Sequence, residues 1–574
     1  ELLLVHSRLA ILDLSPAGLQ PMHDLATGNA IIYNGEIYNY QELRQELRTL
    51  QPDYQFRSTT DTEVLLRGYA QWGAGVFARL DGMFAIILHD RRNEKLVIAR
   101  DHLGIKPLYW SQVSAGSGYA FASEVRALIV ADLAARRINP AAVGDFLDFG
   151  SVREPLTLFA GIHAFPPGHW AEMPVAQPTP LQPQPYWALS SLNQDPIGSD
   201  EHRQVLEQTV HDQLVADVPI GIFLSAGIDS TVLAALASRH TGRRLRSFTI
   251  SSGTGADNES VLAAETARIL GLSHTVFPLT GDQSATWVAD GLDAMDQPSA
   301  DGINTYLVSR ASRSVGIVAA LAGTGADEIH GGYGHFHSLP RLRFAAIRAA
   351  LRWIAVPGIA LRGRGTDAER LKLILDAWPN PKAMLDEKRR FFTPSWQRAF
   401  APEIPRTRSE PSRHVKLGSA EEIKHLLMAG ELEGYLCNTL LRDSDWATMA
   451  NSQELRVPYL GRRYVEAGVR LPWSTKMRSD GPNKPLLAGL IPPDLRAVVQ
   501  RPKTGFNLDF STLLLGPQRE LFLSSGETLN GLGFRTQNQT WLDQLARTRA
   551  ARDARRLWAL LALGRYCARH NAQF

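Results

Sequence analysis

Cysteine is nearly absent: Cys437 and Cys567 are the two in 574 residues. Two cysteines cannot build a disulfide framework and these have no metal-ligand spacing, so a small secreted disulfide scaffold and a zinc module are excluded and a reducing cytoplasm is expected. Long apolar runs are missing too, so no stretch predicts a membrane-spanning helix and no membrane partner is expected. Charge of one sign is not in excess. Lys and Arg number 61 against 58 Asp and Glu, a net charge of +3, which gives nucleic-acid binding no support over this length. The opening residues, ELLLVHSRLAIL, lack the basic segment and cleavage pattern of a signal peptide. They also lack an initiator Met and begin inside an apolar run, which suggests a fragment or a missed start.

What is present points to a globular protein of two or more domains: 44% hydrophobic and 21% charged residues, in a chain too long for one core. Residues 1–175 hold short apolar runs punctuated by Gly, Asn and Asp: Leu2–Leu12, Ala30–Tyr33, Met83–His89, Lys95–Arg100 and Tyr119–Ala122. They predict a strand-rich unit with a few helices, such as Asp61–Gln71. Residues 176–185 (AQPTPLQPQP) can hold neither a helix nor a central strand, because Pro removes donors and fixes φ, and they predict a linker. From Asp200 the pattern alternates: strand 219–224, helix 230–240, strand 245–250, helix 258–271, strand 274–277, helix 303–314, strand 316–322. That alternation predicts a parallel sheet with helices on both faces. Beyond about residue 340 the chain is mostly helical, and 341–355 (RLRFAAIRAALRWIA) predicts a basic amphipathic helix. A membrane-surface role is one reading of it; a packed helix with a solvated Arg face is the favoured one.

The chain is organised around Val218–Thr231, VPIGIFLSAGIDST. Ile220, Ile222, Phe223 and Leu224 suit a short buried parallel strand. Ser225, Ala226 and Gly227 let the backbone approach a ligand closely. Asp229 and Ser230 then open a helix, and a loop leading into a helix amino terminus is an anion site. The string resembles the pyrophosphate loop (SGGxDS) of ATP pyrophosphatases, matching it at Ser225, Gly227, Asp229 and Ser230, with Ala226 where the family usually has Gly.

Further segments resemble the glutamine-dependent asparagine synthetases almost from end to end. In the first half, His6-Ser7-Arg8-Leu9 with Asp13-Leu14-Ser15, Asn34-Gly35-Glu36-Ile37-Tyr38-Asn39, Thr59-Thr60-Asp61-Thr62-Glu63, Leu80-Asp81-Gly82-Met83-Phe84-Ala85 and Arg100–Tyr109 (RDHLGIKPLY) match in order. The resemblance implies a class II amidotransferase with an Ntn-hydrolase αββα sandwich. By carry-over, Arg8 holds the glutamine carboxylate through its fork, Asn34 and Gly35 supply oxyanion donors with Glu36 as a glutamine contact, and Asp61 binds the ammonium. The family nucleophile is an amino-terminal cysteine, expected upstream of Glu1. Cys437 and Cys567 fall in the other half and cannot replace it, so the chain as given is expected to lack glutaminase chemistry.

In the second half, Asn258-Glu259-Ser260, Asp296-Gln297-Pro298, Ala322–Glu328 (AGTGADE) with Gly331-Gly332-Tyr333, Leu441-Arg442-Asp443, Glu454–Leu460 (ELRVPYL), Asn483-Lys484-Pro485 and Arg501–Phe506 (RPKTGF) continue the match. The implied fold is an adenine nucleotide α-hydrolase-like parallel sheet with a helical carboxyl-terminal part. The implied organisation is a glutaminase unit 1–175, a linker 176–185 and a synthetase unit 186–574. Carry-over assigns ATP or pyrophosphate binding to Leu224, Ser225, Gly227, Asp229, Ser230, Ile250, Gly323 and Lys503. It assigns Mg²⁺ to Asp229 and Asp327, and catalysis to Lys484, Lys503, Thr324 and Glu328. Thr324 stands where many members have an acidic residue, Ala322 where they have Ser, and Gly461 where they have Asp.

The expected reaction is ATP-dependent amide formation through an acyl-adenylate, with aspartate as acceptor and glutamine or ammonia as nitrogen source. It releases AMP and diphosphate. The alternatives are an amide-bond ligase with another acceptor, as in β-lactam synthetases, lasso-peptide cyclases or cell-envelope modification, and a catalytically silent homologue. The expected partners are small molecules, with a homodimer as the assembly to test.

Overall fold

The computed structural model describes residues 2–574 apart from 114–117, 193–194, 241–244, 252–257, 280, 362–364, 406–418, 479–483 and 497–507. In the first 185 residues the strands are β1 (Met22–His23), β2 (Ala30–Ile37), β3 (Gly82–Asp90), β4 (Lys95–Arg100), β5 (Tyr109–Gln112), β6 (Tyr119–Ala122), β7 (Ile162–Ala164), β8 (His169–Pro174) and β9 (Gln184–Pro185). They form a six-stranded sheet, β1-β2-β3-β4-β8-β9, and a three-stranded sheet, β6-β5-β7. Every pairing in both is antiparallel.

The period of two along β3 sets the layers. Phe84, Ile86 and Leu88 point to one face, where they pack with Leu43, Leu47, Val64 and Leu65 of the helices Tyr40–Leu50 and Asp61–Trp72. Ala85 and Ile87 point to the other, against Trp110, Tyr119 and Phe121 of the smaller sheet. Tyr109, on the far side of that sheet, joins Val125, Leu128 and Ile129 of helix Val125–Val130 and Val143 and Phe146 of helix Pro140–Phe149. The order is therefore helix, sheet, sheet, helix.

Two expectations need correction here. Leu2–Leu12 forms no strand, although Leu3 and Val5 are 82% and 72% exposed while Leu2 and Leu4 pack against the core. It has the alternation of a strand but no ladder partner among the described residues. The Pro-rich segment is not all linker, since Gln184–Pro185 closes the edge of the larger sheet against His169 and Trp170. An edge is where Pro is tolerated, because no further ladder needs its missing donor.

In the second half, β10 (Ile220–Phe223), β11 (Arg246–Ser251), β12 (Ser273–Pro278), β13 (Ala319–Leu321) and β14 (Glu454–Arg456) build the sheet β12-β11-β10-β13-β14. All four pairings are parallel. Strands run outward from β10 to β12, and the chain then returns to β13 on the other side of β10. The ends of β10 and β13 thus flank the point where strand order reverses, where parallel sheets hold ligands. Helix Ile228–His240 buries Val232, Leu233 and Leu236 with Ile222 and Leu224. Each such side chain is worth about 1.5–3 kcal/mol when fully buried. β13 is shorter than the expected 316–322, and β14 was not expected at all.

Residues 341–355 are the third correction. They do not form one packed amphipathic helix. A 3₁₀ turn Leu339–Arg343, an α segment Ala345–Ala350 and a π segment Leu351–Ala355 follow one another. Arg348 stacks over Trp378 and Arg352 pairs with Asp376, while Trp353 and Ile354 are 77% and 72% exposed. Leu342 and Leu351 still pack inward, while Arg341, Arg343 and Arg352 are exposed, so apolar side chains are split between the two sides. Among the described residues, no single helix is long and apolar enough to cross a membrane.

Candidate functional site

The loop after β10 is tied by one serine. Ser230 Oγ lies 2.9 Å from Ser225 Oγ, accepts from Ser225 N at 3.1 Å and donates to Ser225 O at 2.9 Å. Gly227 N donates to Ser225 Oγ at 3.2 Å. Leu224 N donates to Phe248 O at 2.9 Å and Leu224 O accepts from the Thr249 hydroxyl, which locks the strand end to β11 next to Ile250. Helix Ile228–His240 begins at this loop, with Asp229 in its first turn. The second Gly-rich loop lies alongside. A Cβ on Gly323 would come 3.0 Å from Asp229 Cβ, so the two loops touch through a position that tolerates little.

Between the loops sits Lys484. Its Nζ is 2.5 and 2.6 Å from the Asp229 carboxylate oxygens and 2.6 Å from Asp327 Oδ1. Burial works against its charge, but Asp229 and Asp327 outweigh burial and hold the ammonium above the usual lysine range. Lys484 has a left-handed backbone, φ +54°, at the start of helix Pro485–Leu490, a conformation a non-glycine residue keeps only where its surroundings impose it. Gly332 is required here: a Cβ would lie 1.9 Å from Asp327 Oδ1 and 2.7 Å from Lys484 Cε. Tyr459 OH donates to the main-chain Asp229 O at 3.0 Å and ties down the backbone that carries the first carboxylate.

The donor set suits a hard divalent cation. Two carboxylates from two strand-end loops converge on one point, and a cationic group already occupies it. Among the described residues no group of three or more His, Cys, Asp or Glu could hold a metal by itself, so phosphate oxygens would have to complete the shell. Lys503 lies outside the described residues, as does Asn483.

A cavity of about 130 Å³ opens beside this centre, lined by Thr324, Gly323, Glu328, Asp301 and Asp443 among others. Glu328 is buried and accepts from Tyr333 OH at 2.6 Å. Burial, with the Asp327 charge adding to it, pushes its carboxyl up to about 7. Asp443 is pushed up to about 6 by burial, against the opposing pull of Arg442.

The five expected glutamine-binding residues, Arg8, Asn34, Gly35, Glu36 and Asp61, line one cavity of about 550 Å³. Asp61 Oδ2 accepts from Tyr33 OH and Ile37 N, each at 2.8 Å. Asn34 Nδ2 is 3.4 Å from Ser123 Oγ. Gly35 (φ +148°) leaves no room for a Cβ, which would meet Met83 O at 1.9 Å. Arg8 Nη2 donates to Leu12 O and Asp13 O at 2.7 Å each, so its fork is turned onto the chain's own carbonyls. Both cysteines are buried in the second half, and neither lines this cavity.

The residues missed by sequence reasoning join the halves. Asp445, Met449 and Glu454 line the same cavity from the second half. Arg456 Nη2 is 3.1 Å from Glu36 Oε1, its Nε is 2.9 Å from Glu454 Oε1, and its Nη1 donates to Gln213 O and Val215 O. Lys106 Nζ pairs with Asp445 at 3.0 Å. Arg456 falls within the quoted block ELRVPYL, but no local signal tells that it reaches the other half.

Two family models match the chain. One, described as a glutamine amidotransferase domain, covers residues 1–187, and one described as asparagine synthase covers residues 201–568. A Mycobacterium tuberculosis relative is 32% identical over 530 residues, 87% of this chain and 78% of its own length. Asparagine synthetase (glutamine-hydrolyzing) 3 of Bacillus subtilis is 28% identical over 85% of this chain and 78% of its own. Asparagine synthetase B of Escherichia coli is 30% identical over 59% of this chain and 58% of its own.

Proposed function

The chain belongs to the glutamine-hydrolysing asparagine synthetase family, and from that premise we propose that it is an AMP-forming amide ligase. A carboxylate acceptor attacks the α-phosphorus of ATP at the loop Ser225–Ser230, and ammonia then displaces AMP from the acyl-adenylate. L-Aspartate is the acceptor the family name implies. The observation that carries the proposal is the convergence of Asp229, Asp327 and Lys484 at the paired strand ends.

ATP with Mg²⁺ is the nucleotide substrate in this reading, and Asp229 and Asp327 would hold the ion. Bound there, it would neutralise charge on the diphosphate leaving group. With the ion held there, Lys484 would be free of its two carboxylates and its ammonium available to the phosphates, where a cation stabilises developing charge. Ser225 and Gly227 bind the diphosphate through the loop, and Leu224 and Ile250 border the adenine. Lys503 is proposed as a second phosphate cation. Glu328, its carboxyl pKa raised by burial and by the Asp327 charge, is the group beside Thr324 that can take the proton of the attacking amine. Thr324 offers a hydroxyl for hydrogen bonding only.

The first half, with its helix–sheet–sheet–helix layers, is proposed as the Ntn-type glutaminase unit over 1–175, joined by 176–185 to the synthetase unit 186–574. Its cavity continues onto Asp445, Met449 and Glu454, which supports passage of ammonia between the halves. Arg8, Asn34, Gly35, Glu36 and Asp61 are its proposed glutamine contacts. For Arg8 this requires the guanidinium to leave Leu12 O and Asp13 O, or to bind through its remaining donors.

A second reading, with an acceptor other than aspartate, is favoured by Thr324 and by a larger cavity that shares Asp301 with the catalytic one. The deciding assay is AMP formation with ammonia, with and without aspartate. Aspartate-stimulated AMP supports asparagine synthesis. AMP formation that aspartate leaves unchanged rules it out and leaves the other-acceptor ligase.

A further inference from the structure

The larger cavity has a volume of about 690 Å³ and shares Asp301 with the cavity of Thr324 and Glu328. Tyr435 lines it and donates to Asp301 Oδ2 at 3.2 Å, and Arg389 stacks over both Tyr435 and Tyr333 at that junction. Its volume falls in the range of about 300–1,000 Å³ typical of sites that enclose drug-sized ligands.

Part of its lining is cationic, alongside the carboxylates of Asp145, Glu154, Asp386, Glu431 and Glu433. Arg370, Lys388, Arg552, Arg555 and Arg556 reach the lining from three helices, Gly365–Asp376, Pro381–Arg389 and Ala551–Arg569, and Arg552 also pairs with Asp367. Arg556 is 3% exposed. Its Nε donates to Phe391 O and its Nη1 to Asp553, but its Nη2 is buried without a hydrogen-bond partner. Arg370 Nε is likewise buried without one. Burying guanidinium nitrogens unpaired is costly, and natural sites accept that cost where a ligand supplies the acceptor. Burial depresses Arg556 to about 10, with Arg370 and Arg552 adding repulsion that Asp553 only partly offsets. Helix Ala551–Arg569, 19 residues long, begins at this wall, and its cap residue Ala550 has no side chain to satisfy the first N–H groups. The positive end of a long helix and several arginines thus face one space.

We propose that this cavity is the acceptor pocket of the synthetase half, and that Arg370, Arg552, Arg555 and Arg556 seat a phosphate group carried by the acceptor. Planar guanidinium forks match phosphate oxygens in pairs, which a point-charge ammonium cannot do. The substrate class is a phosphorylated carboxylic acid larger than aspartate. The catalytic part rests on the second, other-acceptor ligase reading above; the binding part does not.

The test titrates 6-phosphogluconate, gluconate and inorganic phosphate into the full chain by calorimetry, without ATP. We expect 6-phosphogluconate to bind at least tenfold more tightly than either of the others, about 1.4 kcal/mol for each factor of ten. Arg555→Ala and Lys388→Ala, both at exposed positions, should each weaken that binding severalfold and leave gluconate binding unchanged. Circular dichroism melts confirm that the variants fold. Equal binding of 6-phosphogluconate and gluconate, no binding of either, or no response to both variants overturns the phosphate subsite. Inorganic phosphate binding as tightly as 6-phosphogluconate overturns its assignment to the acceptor. ATP–pyrophosphate exchange is measured alongside. Its absence removes the ligase reading while the binding result still decides the subsite.

Discussion

Replacing Lys484 by Met removes an ammonium that touches both Asp229 and Asp327. Lys484 is 5% exposed, and the two carboxylates are 18% and 14% exposed, so solvent screens the group only weakly. Removing one partner of a buried ion pair costs about 3–5 kcal/mol, and the lower end applies because the aspartates keep some contact with water. At about 2 °C for each kcal/mol in a large domain, the variant should melt about 6 °C below the wild type in buffer without divalent ions. Mg²⁺ should then behave differently in the two proteins. In the wild type it competes with Lys484 for the same carboxylates, and in Lys484→Met it does not. Millimolar Mg²⁺ should therefore raise the melting temperature of the variant more than that of the wild type. At the same time AMP formation should fall by about 10²–10³-fold, the usual cost of removing one preorganised group that stabilises transition-state charge. Differential scanning fluorimetry with a Mg²⁺ series reads the first effect and a coupled AMP assay the second. A variant that melts with the wild type and shows the same Mg²⁺ shift would refute the placement of Lys484 between the two carboxylates.

Asp229→Asn and Asp327→Asn should each abolish ATP–pyrophosphate exchange, and exchange at the wild-type rate in both would remove the metal assignment. Gly332→Ala should reduce the same exchange at least tenfold, because its Cβ lands 1.9 Å from Asp327 Oδ1 and a carboxylate misplaced by an ångström costs roughly 10²-fold in rate; unchanged exchange would show that Asp327 is not in the site. Glu328 has its folded pKa raised from 4.5 to about 7, so its contribution to stability is full below pH 4.5 and is lost as pH rises through 7. That loss is about 3 kcal/mol on linkage. Glu328→Gln should therefore flatten the fall in melting temperature between pH 5 and pH 8 and remove the rise in amide-forming activity through pH 7; a variant that keeps both slopes contradicts the assignment. Arg456→Met should destabilise the protein by about 3–5 kcal/mol through the buried pairs with Glu36 and Glu454, measured by urea unfolding. A change within experimental error would show that the Arg456–Glu36 pair does not hold the halves together.

The sequence by itself determined the elements whose signals are local. The strand, small-residue loop and helix at Ile220–His240 needed only apolar β-prone residues, Ser and Gly, and a helix opening at Asp229, all within about twenty positions. AGTGADE and its glycines were legible for the same reason, and so were β2, β3, β4 and β6. Tertiary structure alone decided which distant side chains meet. Lys484 and Asp229 are 255 residues apart in the chain, and nothing near either shows that an ammonium there joins two aspartates. Arg456 reaching Glu36 is a contact of the same kind. β14 spans Glu454–Arg456, too short for periodicity to register, and exists as a strand because β13 offers it a ladder. Leu2–Leu12 had the alternation of a strand without a ladder to complete it. In 341–355 the amphipathic pattern was visible, but the breaks between its 3₁₀, α and π segments, and the contacts of Arg348 and Arg352 with Trp378 and Asp376, were not. The cationic cavity depended most on tertiary structure, since two neighbouring helices and one more than 150 residues further on each bring arginines or a lysine that, taken alone, look like ordinary solvated charges. Local pattern sets an element through neighbours on one chain segment, whereas a site needs groups from many segments at one point, and only packing brings them there.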